Sequence, residues 1–261
     1  MSRKQLSVFA GAFCYEFRMQ IRRRSLWITI CLLGLFIVLF MSRVPGMYEI
    51  LAHLGNYPLL QTLVQWTSIL NRLLPIGVGV ILADRLPRDR RSRVDELFHS
   101  LPAPLSARLA GKYFGSLFAT LVPVLVFYGI GVGFIAWQTH NILAIPLALV
   151  TFAAIMLPGF LFVAAFSLAC PAILWVPLYQ FLFICYWFWG NELGANTGIP
   201  TISETILTPI GKYAIHGFFG IPGYINATPM QATESVLLLI GLGAFAMFML
   251  WAYLRWTGKQ L

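Results

Sequence analysis

Charge is scarce in this sequence. Asp, Glu, Lys and Arg make up only 10% of its 261 residues, against 59% apolar residues and 15% aromatic ones. A water-soluble domain carries about a quarter of its residues as charges, so composition alone excludes a chain solvated by water on all sides. Acids are the scarcest charges: nine, against eighteen Lys and Arg, for a net charge of +9. In a chain this apolar the excess points to loops held on the cytoplasmic side of a membrane, not to a nucleic-acid partner. Cysteine is sparse as well. Cys14, Cys31, Cys170 and Cys185 form no Cys-x-x-Cys pair, and no two share a predicted loop, so neither disulfides nor zinc are indicated. A cleavable signal peptide is not expected, because the first apolar run begins at Leu26 without a small-residue cleavage pattern.

Catalytic motifs are missing too. No predicted span holds paired carboxylates for proton relay, and there is neither His-Glu-x-x-His nor Gly-x-Ser-x-Gly. The pairs Gly111-Lys112, Gly211-Lys212 and Gly258-Lys259 are followed by Tyr or Gln, and no glycine stands five residues before them, so none cradles phosphate. His53, His140 and His216 lie on separate predicted outer loops without ligand spacing. The expectation is a chain with no catalytic residues, no metal and no cofactor of its own.

What is present is a series of apolar runs. Residues 1–25 are basic and amphipathic: Leu6, Phe9, Phe13, Phe17 and Ile21 share one helical face, and Lys4, Arg18 and Arg22 another, the pattern of a helix lying in a membrane interface. The remainder, 26–261, reads as a six-span transmembrane domain with spans near 26–42, 61–83, 107–137, 142–168, 172–190 and 229–256. Pro75, Gly77 and Gly79 make the second span kinkable and closely packable. Ser106 is placed to cap the third, where Gly111 and Gly115 form a small-xxx-small pair. The fourth and fifth divide at Ala169-Cys170-Pro171, with Trp175, Trp187 and Trp189 as interface anchors. The outer loop, 191–228, is apolar; Thr201 with Glu204 and the repeat Ile202, Ile206, Ile210 suggest short helices dipping into the membrane boundary. Thr228-Pro229-Met230-Gln231 opens the last helix. With both termini cytoplasmic, fifteen of the eighteen Lys and Arg fall inside, whereas the acids split almost evenly, as the positive-inside rule requires of a multi-pass cell-membrane protein.

Two places stand out. Asn71 and Arg72 fall near mid-membrane. Arg72 is either a contact for an anion or polar substrate in a translocation path, or a structural charge, snorkelling or paired with Glu49 or Glu192. The other is the loop 84–106. Within it Val94, Leu97, Phe98 and Leu101 form one face of a short helix, Ser92 with Asp95 resembles a capping box, and Pro102 and Pro104 end it. An amphipathic helix isolated on a charged loop between two spans suggests a lever that docks on a partner.

Arg88-Asp89-Arg90-Arg91, Val94-Asp95-Glu96-Leu97, His99-Ser100-Leu101-Pro102 and Gly111-Lys112, set in this order of spans, resemble permease subunits of type-2 ABC exporters. Arg93-Val94 stands where the family often has Gly-Thr. The resemblance covers the whole chain by topology and about thirty residues by motif. It implies that residues 91–101 are a coupling helix docked on a separate ABC ATPase subunit, and that 1–25 is the connecting helix beside it. It also implies short re-entrant helices in the outer loop, a second permease copy completing the pathway, and ATP and Mg held by the partner. The docking face would then comprise Arg90, Arg91, Val94, Asp95, Glu96, Leu97, Phe98 and Leu101, the apolar members anchoring and the charged ones steering. The substrate class expected from an apolar, aromatic interior is amphipathic or hydrophobic. A non-transporting membrane anchor or signalling scaffold for an ABC ATPase is the alternative from the same features.

Overall fold

The computed structural model describes residues 3–41, 58–91, 104–193, 198, 200–221 and 225–257. Nine segments follow in order: α1 Arg3–Ile21, α2 Arg24–Met41, α3 Leu59–Ala83, α4 Arg85–Arg91, α5 Leu105–Thr139, α6 Ala144–Ala172, α7 Val176–Glu192, α8 Lys212–Phe219 and α9 Pro229–Trp256. Every regular element among the described residues is helical. Leu59–Arg88, Leu105–Thr139, Ala144–Ala172 and Pro229–Trp256 are long and apolar enough to cross a membrane. Apolar α2 and the 17-residue α7 are shorter.

The exposed surface agrees. On α2, Leu26, Ile30 and Ile37 are buried at roughly helical spacing, yet Leu32, Leu35, Phe36 and Leu39 on the other faces are exposed. Ile130 and Phe134 of α5, Phe181 of α7 and Leu237, Phe245 and Phe248 of α9 are exposed too. Apolar surface on every side of a bundle calls for lipid as the solvent, because water would drive it to aggregate. The chain is an all-helical, membrane-embedded protein.

Packing uses the devices that lipid favours, small residues and hydroxyls. Leu33 sits over Gly77 and Phe183 over Gly79, so both glycines of α3 receive a neighbour's side chain. Thr67 on α3, Tyr128 on α5 and Thr151 on α6 are buried and meet hydroxyl to hydroxyl at 3.0–3.2 Å. Just beyond, α6 widens into a π turn at Phe152–Met156. Asn71 lies against that turn. It is fully buried, and its amide donates towards the carbonyls of Ile155 (3.2 Å), Pro209 (3.3 Å) and Ile210 (2.8 Å).

Those bonds put the 209–210 segment at mid-height of the bundle. Asn71 lies about 18 Å along α3 from Leu59, and Ile155 about 17 Å along α6 from Ala144. Gly159 makes the approach possible, since a Cβ there would stand 2.4 Å from the Pro209 carbonyl oxygen.

Several boundaries differ from expectation. Pro104, not Ser106, occupies the N-cap of α5, without a side-chain cap bond; its extended ψ of 129° ends the loop there, so the helix starts at Leu105, two residues before the expected start. Thr201–Ile210 forms turns, not a helix, since Pro200 and Pro209 bracket it and the Ile202 amide is drawn to Gly190 O at 3.0 Å. The loop's one described helix is α8. Trp187 is no interface anchor: it is fully buried and donates its indole N–H to the Arg72 carbonyl at 2.7 Å. Trp175 and Trp189 are exposed. A 3-10 turn at Cys170–Ala172 marks the break between α6 and α7, and Thr228 with Gln231 forms the complete capping box of α9.

Candidate functional site

The two described ends of the charged loop converge on α1. This helix runs parallel to the first half of α5, with Phe9 against Phe114 (6.3 Å between ring centroids) and Phe13 against Phe118 (6.0 Å). Gly111 and Gly115 let the backbones meet. A Cβ on Gly111 would stand 2.7 Å from Ala12 Cβ and 2.8 Å from Phe9 O; one on Gly115 would stand 2.8 Å from both Glu16 Cβ and Phe13 O. So α1 has three faces. Ala12, Glu16 and Gln20 face the protein, the half-buried rings of Phe9 and Phe13 lie along the edge of α5, and Leu6, Arg18 and Arg22 are exposed.

The inward face is charged. Glu16 is 5% exposed, and its carboxylate accepts from Arg85, the first residue of α4, itself 1% exposed. Its other oxygen lies 3.8 Å from Lys112 Nζ on α5. One turn earlier on α5, Arg108 is buried as well. Gln20, fully buried, accepts from Arg23 at 3.4 Å, and Arg23 reaches the Asp84 carboxylate at 4.0 Å. One acid thus ties together the helix leading into the loop, the helix leaving it, and α1. Each ion alone would be costly to bury, and breaking the set by removing one partner costs more than the set contributes.

Of the expected docking residues, Val94, Asp95, Glu96, Leu97, Phe98 and Leu101 lie outside the described residues. Arg90 and Arg91 form the end of α4, which continues α3 with only Asp84 between them. The base of the charged loop is therefore described and the expected contact face is not.

Near mid-height of the bundle, Arg72 pairs with Glu192 at 3.5 Å, both side chains partly exposed, which realises one of the partners considered above. Beside them Lys212 donates to Asn191 O at 3.1 Å and to Ser203 Oγ. Asn191 in turn accepts from Thr208 at 3.1 Å. Burial pushes the Lys212 pKa down; Glu192 opposes that shift, Arg72 adds to it and Glu204 opposes it. Asn71, adjacent in sequence to Arg72, points inward to backbone carbonyls. The described residues hold no group of three or more His, Cys, Asp or Glu arranged to take a metal.

Glu16 was not legible as a site, although its position offered a signal: Glu16 and Gln20, four residues apart, flank the apolar stripe of α1 instead of sharing the face of Lys4, Arg18 and Arg22. No protein-family model matches the chain, and no curated protein is significantly similar to it in sequence.

Proposed function

We propose that the chain is the permease subunit of an ATP-binding-cassette exporter, which forms with a second copy a pathway for an amphipathic or hydrophobic substrate. The observation that carries the reading is the Glu16 clamp: a single buried acid on an amphipathic N-terminal helix holds both α4 and α5, the two helices that bracket the charged loop. A load on the 92–103 segment would then reach α1, α3 and α5 as one body. In this reading Val94, Leu97 and Phe98 dock on a separate ATPase subunit, and ATP-driven closure of two such subunits tilts the helices above. The Asn71 and Gly159 contacts support a re-entrant outer loop that closes the far end. The reading includes six spans, α2 and α7 among them, with both termini cytoplasmic.

Reconstitution of the chain with its ATPase tests this. Leu97→Asp or Phe98→Asp should abolish ATP-dependent transport while membrane insertion persists. Normal ATPase association and normal transport in both variants would refute it. Intact association and ATP hydrolysis without transport of any substrate by the unmodified complex would favour the scaffold instead.

A further inference from the structure

Between α5 and α9, at the bundle end that carries the Glu16 clamp, lies a cleft of about 570 Å³ with an apolar lining. Its walls include Ala110 and Phe114 of α5 and Ala244, Met247 and Trp251 of α9, and Leu161 of α6 also lines it. The α6 side is held by Tyr113, whose hydroxyl donates to Leu161 O at 2.9 Å, and by Gly243, which packs closely against Ala165 and Leu161. The cleft is therefore a feature of packed helices.

Its dimensions select the occupant. The lining runs from Ile240 to Trp251 along α9, roughly 16 Å, which is half of a hydrocarbon core of about 30 Å. A membrane-crossing partner helix would call for a groove the full depth of the core, whereas an acyl chain is one leaflet long. The cleft also has a charged end. Arg255, one turn beyond Trp251 on the same face of α9 and exposed, holds its guanidinium 5.4 Å from the Trp251 ring centroid. Ser106 lines the cleft at the α5 end, and no acid lies in the first turn of that helix. A hydrocarbon slot one leaflet deep with a cation at its mouth is complementary to a lipid with an anionic headgroup.

We infer that this cleft is a binding site for one acyl chain of an anionic phospholipid, with the headgroup phosphate at Arg255. The site lies within one chain, and the inference rests on membrane embedding alone, not on the exporter reading.

The test uses the full chain in phosphatidylcholine vesicles doped with either phosphatidylglycerol or phosphatidylcholine bearing a diazirine in one acyl chain. After illumination, labelled residues are mapped by mass spectrometry. Label from the phosphatidylglycerol probe should concentrate on Ala110, Ala244 and Met247. Ala244→Trp, or Ala110→Phe from the opposite wall, should abolish that label while lipid-facing Phe181 of α7 keeps its own. Arg255→Gln, an exposed change that leaves the fold alone, should lower the phosphatidylglycerol label in the cleft about five-fold and leave the phosphatidylcholine label unchanged. Equal cleft labelling by the two probes would overturn the anionic headgroup. Label spread evenly over α7 and α9, or unaffected by both filling variants, would overturn the site.

Discussion

Glu16→Gln is the substitution with the sharpest consequence. The side chain keeps its shape and loses its charge, leaving Arg85 at 1% exposure and Lys112 at 8% without the acid that both face. Removing one partner from a buried pair costs about 3–5 kcal/mol. The loss falls on the docking of α1, because Glu16 is its only acid and its buried charge contact stands beside the Gly111–Gly115 seam and the aromatic edge. At the lower figure the opening equilibrium of α1 rises by roughly two orders of magnitude. Amide hydrogen exchange of the detergent-solubilised protein reads this directly: exchange across residues 8–20 should accelerate about 100-fold, while α6 stays protected. Glu16→Leu combined with Arg85→Met should recover part of the protection, since apolar side chains then replace the buried Glu16–Arg85 pair. Exchange in α1 within about three-fold of the unmodified protein, or strictly additive single and double variants, would refute the clamp.

Four further substitutions probe the packing and the outer loop. Gly115→Ala should cost about 1–3 kcal/mol by forcing α1 from α5, whereas Gly133→Ala, with nothing within 4 Å of its Cβ, should be neutral or slightly stabilising; thermal unfolding of the two variants separates them. Asn71→Ala leaves the Ile155, Pro209 and Ile210 carbonyls without their donor at a cost of about 1–3 kcal/mol, and protease accessibility of the 200–221 segment should rise. Burial lowers the Lys212 pKa from 10.5, so in the alkaline range below that value the unfolded chain binds more protons than the folded one. Thermal stability should therefore climb with pH over that range, and Lys212→Met should remove the climb.

The helical class was written in composition, since a chain with 10% charge has few other ways to satisfy its backbone in lipid. Local chemistry marked some boundaries well: the Thr228–Gln231 box and the break at Cys170–Pro171 are where their residues indicated. The Thr201–Glu204 pattern misled because two prolines and a bond to Gly190 compete with the helix, and no local signal reports a bond to a distant carbonyl. The base of the charged loop was half legible. Gly111 and Gly115 announced a close packing partner, but not that it would be α1. Arg85, Arg108 and Lys112 read as orientation charges because burial depends on which helices meet, and Trp187 read as an anchor for the same reason.

The central claim is that this chain acts by coupling to a separate ATPase, and isolation of the complex tests it most directly. The chain, tagged and purified from its native membrane in mild detergent, should bring down an ABC ATPase in equal amount, with two copies of each, and the preparation should hydrolyse ATP. Leu97→Asp should release that subunit. Recovery of the chain alone, fully folded and without a nucleotide-binding subunit, would contradict the account.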